Sequence, residues 1–395
     1  MRILMLSWEY PPRIIGGIAR HVFDLANAQA RAGVEVHVIT CEYQGAPEIE
    51  ESENLTIHRV PAGEDDSDFM AWVKRLNHST EAKAEELIAK YGTKDMLIHV
   101  HDWLGAWAAK DLKHRHKIPL IATIHATEHG RNYGIHSDLQ REISQVEWEL
   151  TYESWWVIVC SHFMKNEVAR VLSVPPEKMD VIFNGVDVSK FDIDFDEAEF
   201  KSRFAANDES IIFFVGRMAR EKGAHVLIEA FRKILDAGQN AKLVIAGGGD
   251  RSELKQQAAE LGLLDKVYFP GYIDDDTLLK LYKSVDVAVF PSLYEPFGIV
   301  ALEAMAARTP VVISDAGGLR EVVDHGVNGF VTWAGNADSL AWGIMQVLTN
   351  PAGAKSMADN AYAKAIDVFN WDRIAAQTIA VYERIRTEIE AGTWK

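Results

Sequence analysis

The stretch DVAVFPSLYEPFGIVALEAMAARTPVVISD, residues 286–315, places two short apolar runs on either side of a helical one. The flanking runs, 286–292 and 309–315, are rich in Val and Ile, which is typical of buried β-strands. Residues 298–307 lie between them, start at a glycine and have a helical pattern. A strand, a helix and a second strand in this order predict a βαβ unit, in which the helix covers one face of a parallel sheet.

The same alternation of strands and helices extends along nearly the whole chain, in two series. The predicted strands are 2–7, 34–40, 55–60, 96–100, 119–124 and 156–160 in the first series, and 210–218, 241–247, 266–272, 286–292 and 309–315 in the second. The polar, acidic segment 187–207 lies between the two series and has no sustained apolar period. We therefore expect this segment to be a linker.

Two doubly wound α/β domains are predicted from these series, an N-terminal domain over residues 1–190 and a C-terminal domain over 208–375. The length of 395 residues agrees with two domains, because single cores rarely grow beyond about 250–300 residues. Ligands of such sheets bind outside the carboxyl ends of the strands. We therefore expect the two domains to share one ligand across a cleft.

Charge and composition exclude several classes of function. The sequence has 41 Lys and Arg residues against 58 Asp and Glu residues, a net charge of −17. Nucleic acids and anionic membranes bind to basic surfaces, so neither is an expected partner. The opening run MRILML is too short for the apolar region of a signal peptide, so none is expected, and no apolar run of about 18 residues occurs. With only two cysteines, Cys41 and Cys160, a reduced cytoplasmic protein is expected.

Two predicted turns of the second series carry groups that favour an anion. GRMAREKG, residues 216–223, places Arg217 and Lys222 between a strand and a helix. Further on, the backbone amides of Gly298, Ile299 and Val300 open a helix, where free N–H groups bind phosphate. Arg and Lys are both suited to phosphate oxygens. Taken alone, Arg217 and Lys222 are better explained as ordinary basic residues of a solvated loop.

Two glutamates flank this helix start. Glu303 lies about one turn into the helix, where a carboxylate can accept both hydroxyls of a ribose. Glu295 lies on the other side of the predicted phosphate position. The pair predicts a nucleotide-sugar, with Glu303 at the nucleoside end and Glu295 at the sugar end. The alternative for Glu303 is an ordinary exposed helix position, which its apolar neighbours disfavour.

Three turns of the first series are predicted to meet at one sheet edge. Gly16 and Gly17 follow the first strand and open a helix, but they do not form the G-x-G-x-x-G dinucleotide pattern. Asp102 and His125 follow two later strands. A histidine at the carboxyl end of a strand is a candidate hydrogen-bonding group for a sugar, although a lone histidine is more often structural.

GRMAREKG and the Glu-x₇-Glu segment SLYEPFGIVALEAMA together resemble the signature of retaining glycosyltransferases of family 4. The resemblance covers nearly the whole chain, including HDW (101–103), TIH (123–125), NGVD (184–187), AGGG (246–249) and PGYI (270–273). It implies the GT-B fold, two Rossmann-like domains that face a central cleft. Residues 371–390 have the apolar spacing of one helix, with Ile374, Val381 and Ile385 on its apolar face. The resemblance implies that this C-terminal helix crosses back, with 376–395 packing on the N-terminal, acceptor-side domain. The N-terminal motifs SWEYPPRIIGGI and HDW are similar to those of glycogen and starch synthases.

The resemblance implies transfer of a hexose, glucose, from a nucleoside-diphosphate sugar to a hydroxyl of a soluble sugar or α-glucan. It assigns catalytic roles to His125, Arg217, Lys222 and Glu295. The donor-binding residues that it implies are Gly16, Gly17, Asp102, Gly247, Tyr272, Ile273, Phe297, Gly298, Ile299, Val300 and Glu303. No cofactor, required metal or stable membrane contact is expected, and neither the base of the donor nor the oligomeric state follows from the sequence.

Several alternatives stay open at this point. The acceptor could be glucose 1-phosphate, giving maltose 1-phosphate, or a small sugar phosphate, for which Arg131 is a basic candidate. Bacterial glycogen synthases have a lysine where this chain has Ile14, and they usually lack the second glutamate, here Glu303. A protein of another class, a sensor that binds nucleotide-sugars without turnover, is disfavoured by the complete catalytic set.

Overall fold

The computed structural model describes residues 1–63 and 68–392. The chain forms two compact units: unit 1 comprises Met1–Asn184 and Trp371–Lys395, and unit 2 comprises Gly185–Asn370. The polypeptide therefore passes from one unit to the other twice, at 184–185 and at 370–371. Among the described residues, no helix is both long and apolar enough to span a membrane.

Unit 1 is built around an eight-stranded sheet with the order β3-β4-β2-β1-β5-β6-β7-β8, parallel except for the β3–β4 pair. Its strands are β1 (Arg2–Leu6), β2 (Glu35–Cys41), β3 (Ile49–Ser52), β4 (Leu55–Val60), β5 (Met96–His101), β6 (Leu120–Ile124), β7 (Trp156–Val159) and β8 (Met179–Val181). Its first six helices are α1 (Gly17–Arg31), α2 (Phe69–Tyr91), α3 (Ala106–His116), α4 (Glu128–Arg131), α5 (Asp138–Glu153) and α6 (His162–Val171).

Unit 2 has a six-stranded parallel sheet with the order β11-β10-β9-β12-β13-β14. The strands are β9 (Ser210–Val215), β10 (Ala241–Ala246), β11 (Val267–Gly271), β12 (Val287–Phe290), β13 (Val311–Ser314) and β14 (Phe330–Thr332). The helices are α7 (Glu197–Ser202), α8 (Ala224–Asp236), α9 (Ser252–Glu260), α10 (Asp275–Ser284), α11 (Ile299–Ala306), α12 (Leu319–Val322), α13 (Ala337–Leu348) and α14 (Pro351–Val368). The predicted βαβ unit corresponds to β12, α11 and β13, whose strands pair in parallel.

The last helix, α15 (Trp371–Glu390), belongs to unit 1 although it follows unit 2 in sequence. Ile374, Val381, Tyr382 and Ile385 on this helix are buried in the same core cluster as Leu25 of α1. The helix therefore completes the core of the N-terminal unit, as the family resemblance implied. The helix spans the predicted range, 371–390, and the part that packs on unit 1 starts earlier than residue 376, because Trp371 and Ile374 already belong to that core.

The expected linker, 187–207, is instead part of unit 2, which starts at Gly185. Phe191 and Phe200 are buried, and Lys283 donates hydrogen bonds to the carbonyls of Phe191 and Ile193 at 3.0 and 3.1 Å. Asp196 caps α7 by accepting from the Glu199 N–H. Phenylalanines spaced through an acidic run anchor the segment even though no regular apolar period is present.

Candidate functional site

In unit 2, the loops that carry the predicted residues follow β9 and β12. These two strands are neighbours in the sheet, and the chain order reverses between them, since β10 and β11 lie on one side and β13 and β14 on the other. Doubly wound sheets bind ligands at this topological switch point, beyond the carboxyl ends of the strands. Unit 2 therefore places residues 216–223 and 291–298 where a ligand is expected.

Lys222 and Glu295 meet directly across these two loops. The ammonium Nζ of Lys222 lies 2.8 Å from Glu295 Oε2, and Ser292 Oγ lies 3.3 Å from the same oxygen. Glu295 is buried and Lys222 is half-buried, so both groups are held rather than freely solvated. The sequence predicts that Lys222 binds the diphosphate and Glu295 the sugar of one ligand, and the structure joins the two side chains in one ion pair.

Glycines allow the loops of this site to pack backbone against backbone. A Cβ on Gly223 would lie 1.9 Å from the Pro291 carbonyl oxygen, and a Cβ on Gly247 would lie 1.8 Å from the Gly216 carbonyl oxygen. The N–H of Met218 also donates to the Gly248 carbonyl at 2.8 Å. The AGGG segment (246–249) therefore packs and hydrogen-bonds against residues 216–218. These contacts fix the position of the loop that contains Lys222.

Helix α11 starts at this site. Gly298 precedes it with a φ of +108°, a conformation that a residue with a side chain rarely adopts. Ile299 and Val300 are partly exposed in the first turn. Glu303, one turn further, is buried and accepts a hydrogen bond of 3.0 Å from the Tyr282 hydroxyl. The alternative of an exposed Glu303 is therefore wrong, and the first-turn amides and a fixed carboxylate lie on one short helix.

The other predicted donor-site residues of unit 2 are placed less uniformly. Arg217 forms an ion pair with Glu221 at 3.1 Å, and its side chain is 57% exposed. Tyr272 is 73% exposed and Ile273 is half-buried. The Phe297 ring is buried against Phe369, so its side chain is not available to a ligand.

In unit 1, the switch point lies between β1 and β5, and here the structure adds a residue that the sequence analysis missed. The carboxylate Oε2 of buried Glu9 accepts hydrogen bonds from the N–H groups of Ile15 and Gly16 at 2.7 and 2.9 Å. Burial raises the pKa of Glu9, and these two amides partly oppose the rise. The Gly16 amide is therefore not free for a diphosphate, and Gly17, exposed at the start of α1, remains as the glycine of this loop that a ligand can approach. The signal for Glu9 was its position two residues after the predicted strand 2–7, at the carboxyl edge.

Asp102 and His125 are also brought together. Asp102 is buried, and its Oδ1 accepts from the His125 backbone N–H at 2.7 Å, while Oδ2 lies 3.4 Å from the Arg131 guanidinium. Its φ of +55° is unusual for a residue other than glycine and costs on the order of 1–3 kcal/mol. The aspartate therefore shapes the turn that presents His125.

His125 lies among other buried histidines. Its Nε2 is 3.1 Å from Nδ1 of His101, and His99 on the same strand contacts the Tyr382 hydroxyl and Thr123 Oγ1 at 2.6 and 2.7 Å. Burial lowers the pKa of His125 and of His99 to about 3. These imidazoles are neutral at pH 7, so His125 can act there as a hydrogen-bonding group and not as a cation.

Comparison with known proteins agrees with these features. A family model described as Glycosyltransferase Family 4 matches residues 15–190, and one described as Glycosyl transferases group 1 matches 195–364. A glycosyltransferase of Methanocaldococcus jannaschii, named as uncharacterized, is 43% identical over 390 residues, 97% of this chain and 98% of its own. The glycogen synthase of Mycobacterium tuberculosis is 36% identical over 398 residues, 97% of this chain and 94% of its own.

A solved structure supports the fold directly. Sucrose-phosphate synthase from Thermosynechococcus elongatus matches with a TM-score of 0.84 and 27% identity, and the match covers 98% of this chain and 99% of that one. Two parallel-sheet units, the family models and relatives of full length thus agree on one assignment. The chain belongs to glycosyltransferase family 4: it is a transferase with the GT-B fold and is similar to glycogen synthases.

Proposed function

We propose that this enzyme transfers a hexose, glucose, from a nucleoside-diphosphate sugar to a hydroxyl of a soluble sugar or α-glucan, with retention of configuration at the anomeric carbon. The observation that carries the proposal is the Lys222–Glu295 ion pair at the switch point of unit 2, next to the first turn of α11. It combines a cation and helix amides for the diphosphate with a carboxylate for the sugar.

Charge on the departing diphosphate is the main quantity that the site has to stabilise. Glycosyl transfer passes through an oxocarbenium-like state, in which the leaving group gains negative charge. Lys222 and the amides of residues 298–300 are fixed in place before the reaction, and Arg217 is exposed at the same loop. Each such preorganised donor typically lowers the barrier by about 3–4 kcal/mol. We propose that these groups suffice without a metal ion.

Two carboxylates bind the remaining parts of the donor, the ribose and the transferred sugar. Glu303, oriented by the Tyr282 hydroxyl, accepts the ribose hydroxyls, and Glu295 accepts hydroxyls of the transferred sugar. Gly247, Tyr272 and Ile273 lie on the loops that border the base. In unit 1, Asp102 positions His125 through the His125 backbone N–H, and we propose His125 as a hydrogen-bonding group for a sugar.

The configuration at the anomeric carbon is retained if the acceptor attacks the face of the sugar from which the leaving group departs. The acceptor O–H then passes its proton to a phosphate oxygen of the leaving diphosphate while the new C–O bond forms. Such a step needs no protein nucleophile. Arg217 and Lys222 assist it by keeping that diphosphate next to the anomeric carbon.

Two acceptor classes have support from relatives. The 36% identical glycogen synthase favours an α-glucan. The 27% identical sucrose-phosphate synthase is named for a phosphorylated sugar, which favours a sugar phosphate as the second class of acceptor. Arg131, the basic candidate for binding an acceptor phosphate, lies 3.4 Å from Asp102. Its charge is therefore partly neutralised by a residue of the turn that positions His125. We therefore place the glucan first.

The test is a matrix of UDP-, ADP- and GDP-glucose against glycogen, maltose and glucose 1-phosphate, with release of nucleoside diphosphate as the readout. We expect one donor to react only when an acceptor is present. Lys233→Ala, which removes a surface ion pair of α8 with Asp338, is the matched control for Lys222→Ala. Release that is independent of every acceptor, or that is unchanged in Lys222→Ala, would contradict the proposal.

A further inference from the structure

Three histidine side chains from separate elements converge inside unit 1. His21 comes from α1, His101 from the end of β5 and His125 from the turn after β6. One nitrogen from each ring lies within 4.8 Å of the others. The His21 ring centroid is 4.6 Å from that of His125 and 5.3 Å from that of His101. The three imidazoles thus surround one small volume.

Several nitrogens in this cluster have no hydrogen-bond partner in the described part of the chain. Nε2 of His101 is buried and unpartnered, and the two ring nitrogens of His21 are buried with no partner in good hydrogen-bond geometry, the Asn184 side chain being the polar group that interacts with them; His21 and His101 are only 5% and 1% exposed. The Asn184 side chain faces His21, yet its Oδ1 is also buried without a partner. An unsatisfied buried polar group costs about 1–3 kcal/mol, so this cluster is costly without a further ligand.

Imidazole nitrogens are ligands of choice for divalent transition metals. Zn–N bonds of about 2.0–2.1 Å place the nitrogens of a tetrahedral site roughly 3.4 Å apart. Nδ1 of His101 and Nε2 of His125 are 3.1 Å apart and share a hydrogen bond that an ion would replace. One nitrogen of each of the three rings lies within 4.8 Å of the others, so the His21 ring has to move closer to complete the site. The carboxamide oxygen of Asn184 or a water molecule can take the fourth position.

We propose that His21, His101 and His125 form a binding site for one divalent transition-metal ion, with Zn²⁺ as the best match. Because His125 is the most exposed of the three rings, at 9%, an ion reaches the cluster past this residue. A bound ion occupies a nitrogen of His125 and holds the ring in the interior. If the proposed function is right, Zn²⁺ therefore inhibits transfer, although the reaction itself requires no metal.

The test uses the whole protein, stripped with a chelator, and measures metal binding separately from activity. Equilibrium dialysis with Zn²⁺ gives the stoichiometry, and visible absorption of Co²⁺ distinguishes a four-coordinate site from a six-coordinate surface site. His21→Phe is the diagnostic variant. It keeps an aromatic ring against Trp371, and the polar contact that it removes is the one with the Asn184 side chain. The control is His58→Gln, at the stacked His37–His58 pair in the same unit.

We expect one equivalent of Zn²⁺ for the wild type and for His58→Gln, with a Co²⁺ spectrum of four-coordinate type. His21→Phe should bind at least about tenfold more weakly, keep its metal-free activity and lose inhibition by Zn²⁺. Failure of the wild type to bind one equivalent, or equal binding by His21→Phe, would overturn the site. Binding without inhibition would overturn only the link to His125. Since binding is measured without a sugar substrate, failure of the proposed function would not be mistaken for failure of the site.

Discussion

Lys222 and Glu295 neutralise each other in the structure, and this is compatible with two separate roles toward a ligand. Their 2.8 Å ion pair and the Ser292 contact hold both side chains at the switch point before a donor arrives. A ligand that brings a diphosphate and sugar hydroxyls together can be bound by the pair without a large reorganisation. Preorganisation of this kind is the main source of electrostatic stabilisation in enzymes.

Lys222→Ala should lower kcat by about 10²–10³-fold, because a fixed cation at the leaving group is lost. Lys233→Ala should keep the wild-type kcat. The check is steady-state transfer with the best donor, together with the melting temperature of each variant. A Lys222→Ala enzyme within about threefold of the wild type, at an unchanged melting temperature, would remove Lys222 from the proposed machinery.

Glu303→Gln should raise the donor KM more than it lowers kcat, because ribose contacts are the same in the ground and transition states. Tyr282→Phe, which removes the hydroxyl that orients Glu303, should show the same pattern more weakly. Glu295→Gln should mainly lower kcat, since contacts to the sugar change as its ring flattens. The opposite pattern in initial-rate kinetics would mean that Glu295 binds the ribose and Glu303 binds the transferred sugar.

Glu147 predicts a pH dependence of stability. Burial raises the pKa of this carboxyl, on α5, to about 8, although it accepts a 2.8 Å hydrogen bond from the Glu128 N–H. Between its ordinary pKa of 4.5 and about 8 the folded state holds a proton that the unfolded state has released. The free energy of unfolding therefore falls as pH rises through this window, by about 1.4 kcal/mol per pH unit from this group.

Glu147→Gln should abolish that contribution, because the amide keeps the acceptor for Glu128 and does not ionise. In urea unfolding, we expect the free energy of unfolding of Glu147→Gln, relative to that of the wild type, to increase steadily from about pH 5 to about pH 8. Glu142→Gln, at an exposed position of the same helix, should follow the wild type. Parallel curves for Glu147→Gln and wild type would mean that Glu147 is ionised in the folded protein.

At the scale of elements, α15 is the clearest case of long-range packing. Tyr382 accepts from Gln29 Nε2 of α1 at 3.0 Å and lies 2.6 Å from His99 Nδ1 of β5, so one helix residue joins two other elements. Ile385 is buried on the same face. The apolar spacing in the sequence predicted this helix and its buried face, whereas its partner in unit 1 followed only from the family resemblance.

Ile385→Ala should destabilise the protein by about 2–5 kcal/mol, since it leaves a cavity in the unit 1 core. Glu383→Ala, at an exposed position of α15, should change stability by less than about 0.5 kcal/mol. Urea unfolding followed by tryptophan fluorescence measures both. An Ile385→Ala protein as stable as Glu383→Ala would show that α15 does not contribute to this core in solution.

Elements with weak sequence signals were missed for identifiable reasons. Strand β3 is exposed along its whole length, so it has no apolar run, and β14 has only three residues. Helix α14 is rich in alanine, and its buried face is made of Ala354, Ala358, Ala361 and Ala365. Small side chains give little periodic contrast between faces, although they pack well. The central strands, by contrast, are continuous Val and Ile runs that the sequence predicts well.

At the scale of the whole molecule, the sequence predicts two doubly wound units because the strand–helix alternation restarts near residue 210. It does not predict that residues 185–207 fold into unit 2, since the anchoring phenylalanines follow no regular period. For the site, Lys222, Glu295, Glu303 and His125 were predicted from their positions after strands. Glu9 and the histidine cluster were not, because hydrogen bonds between distant loops leave no local pattern.

The central claim, retaining transfer from a nucleotide-sugar, is tested most directly by following one reaction by proton NMR. The donor, an α-linked nucleoside-diphosphate glucose, is mixed with the acceptor identified by the screen, and the anomeric signals of donor and product are recorded together. We predict that the donor signal is replaced by a new α-glycosidic signal, with no build-up of free glucose, and that Lys222→Ala leaves the donor unchanged. A β-glycosidic product, or release of free glucose without a glycoside, would contradict it.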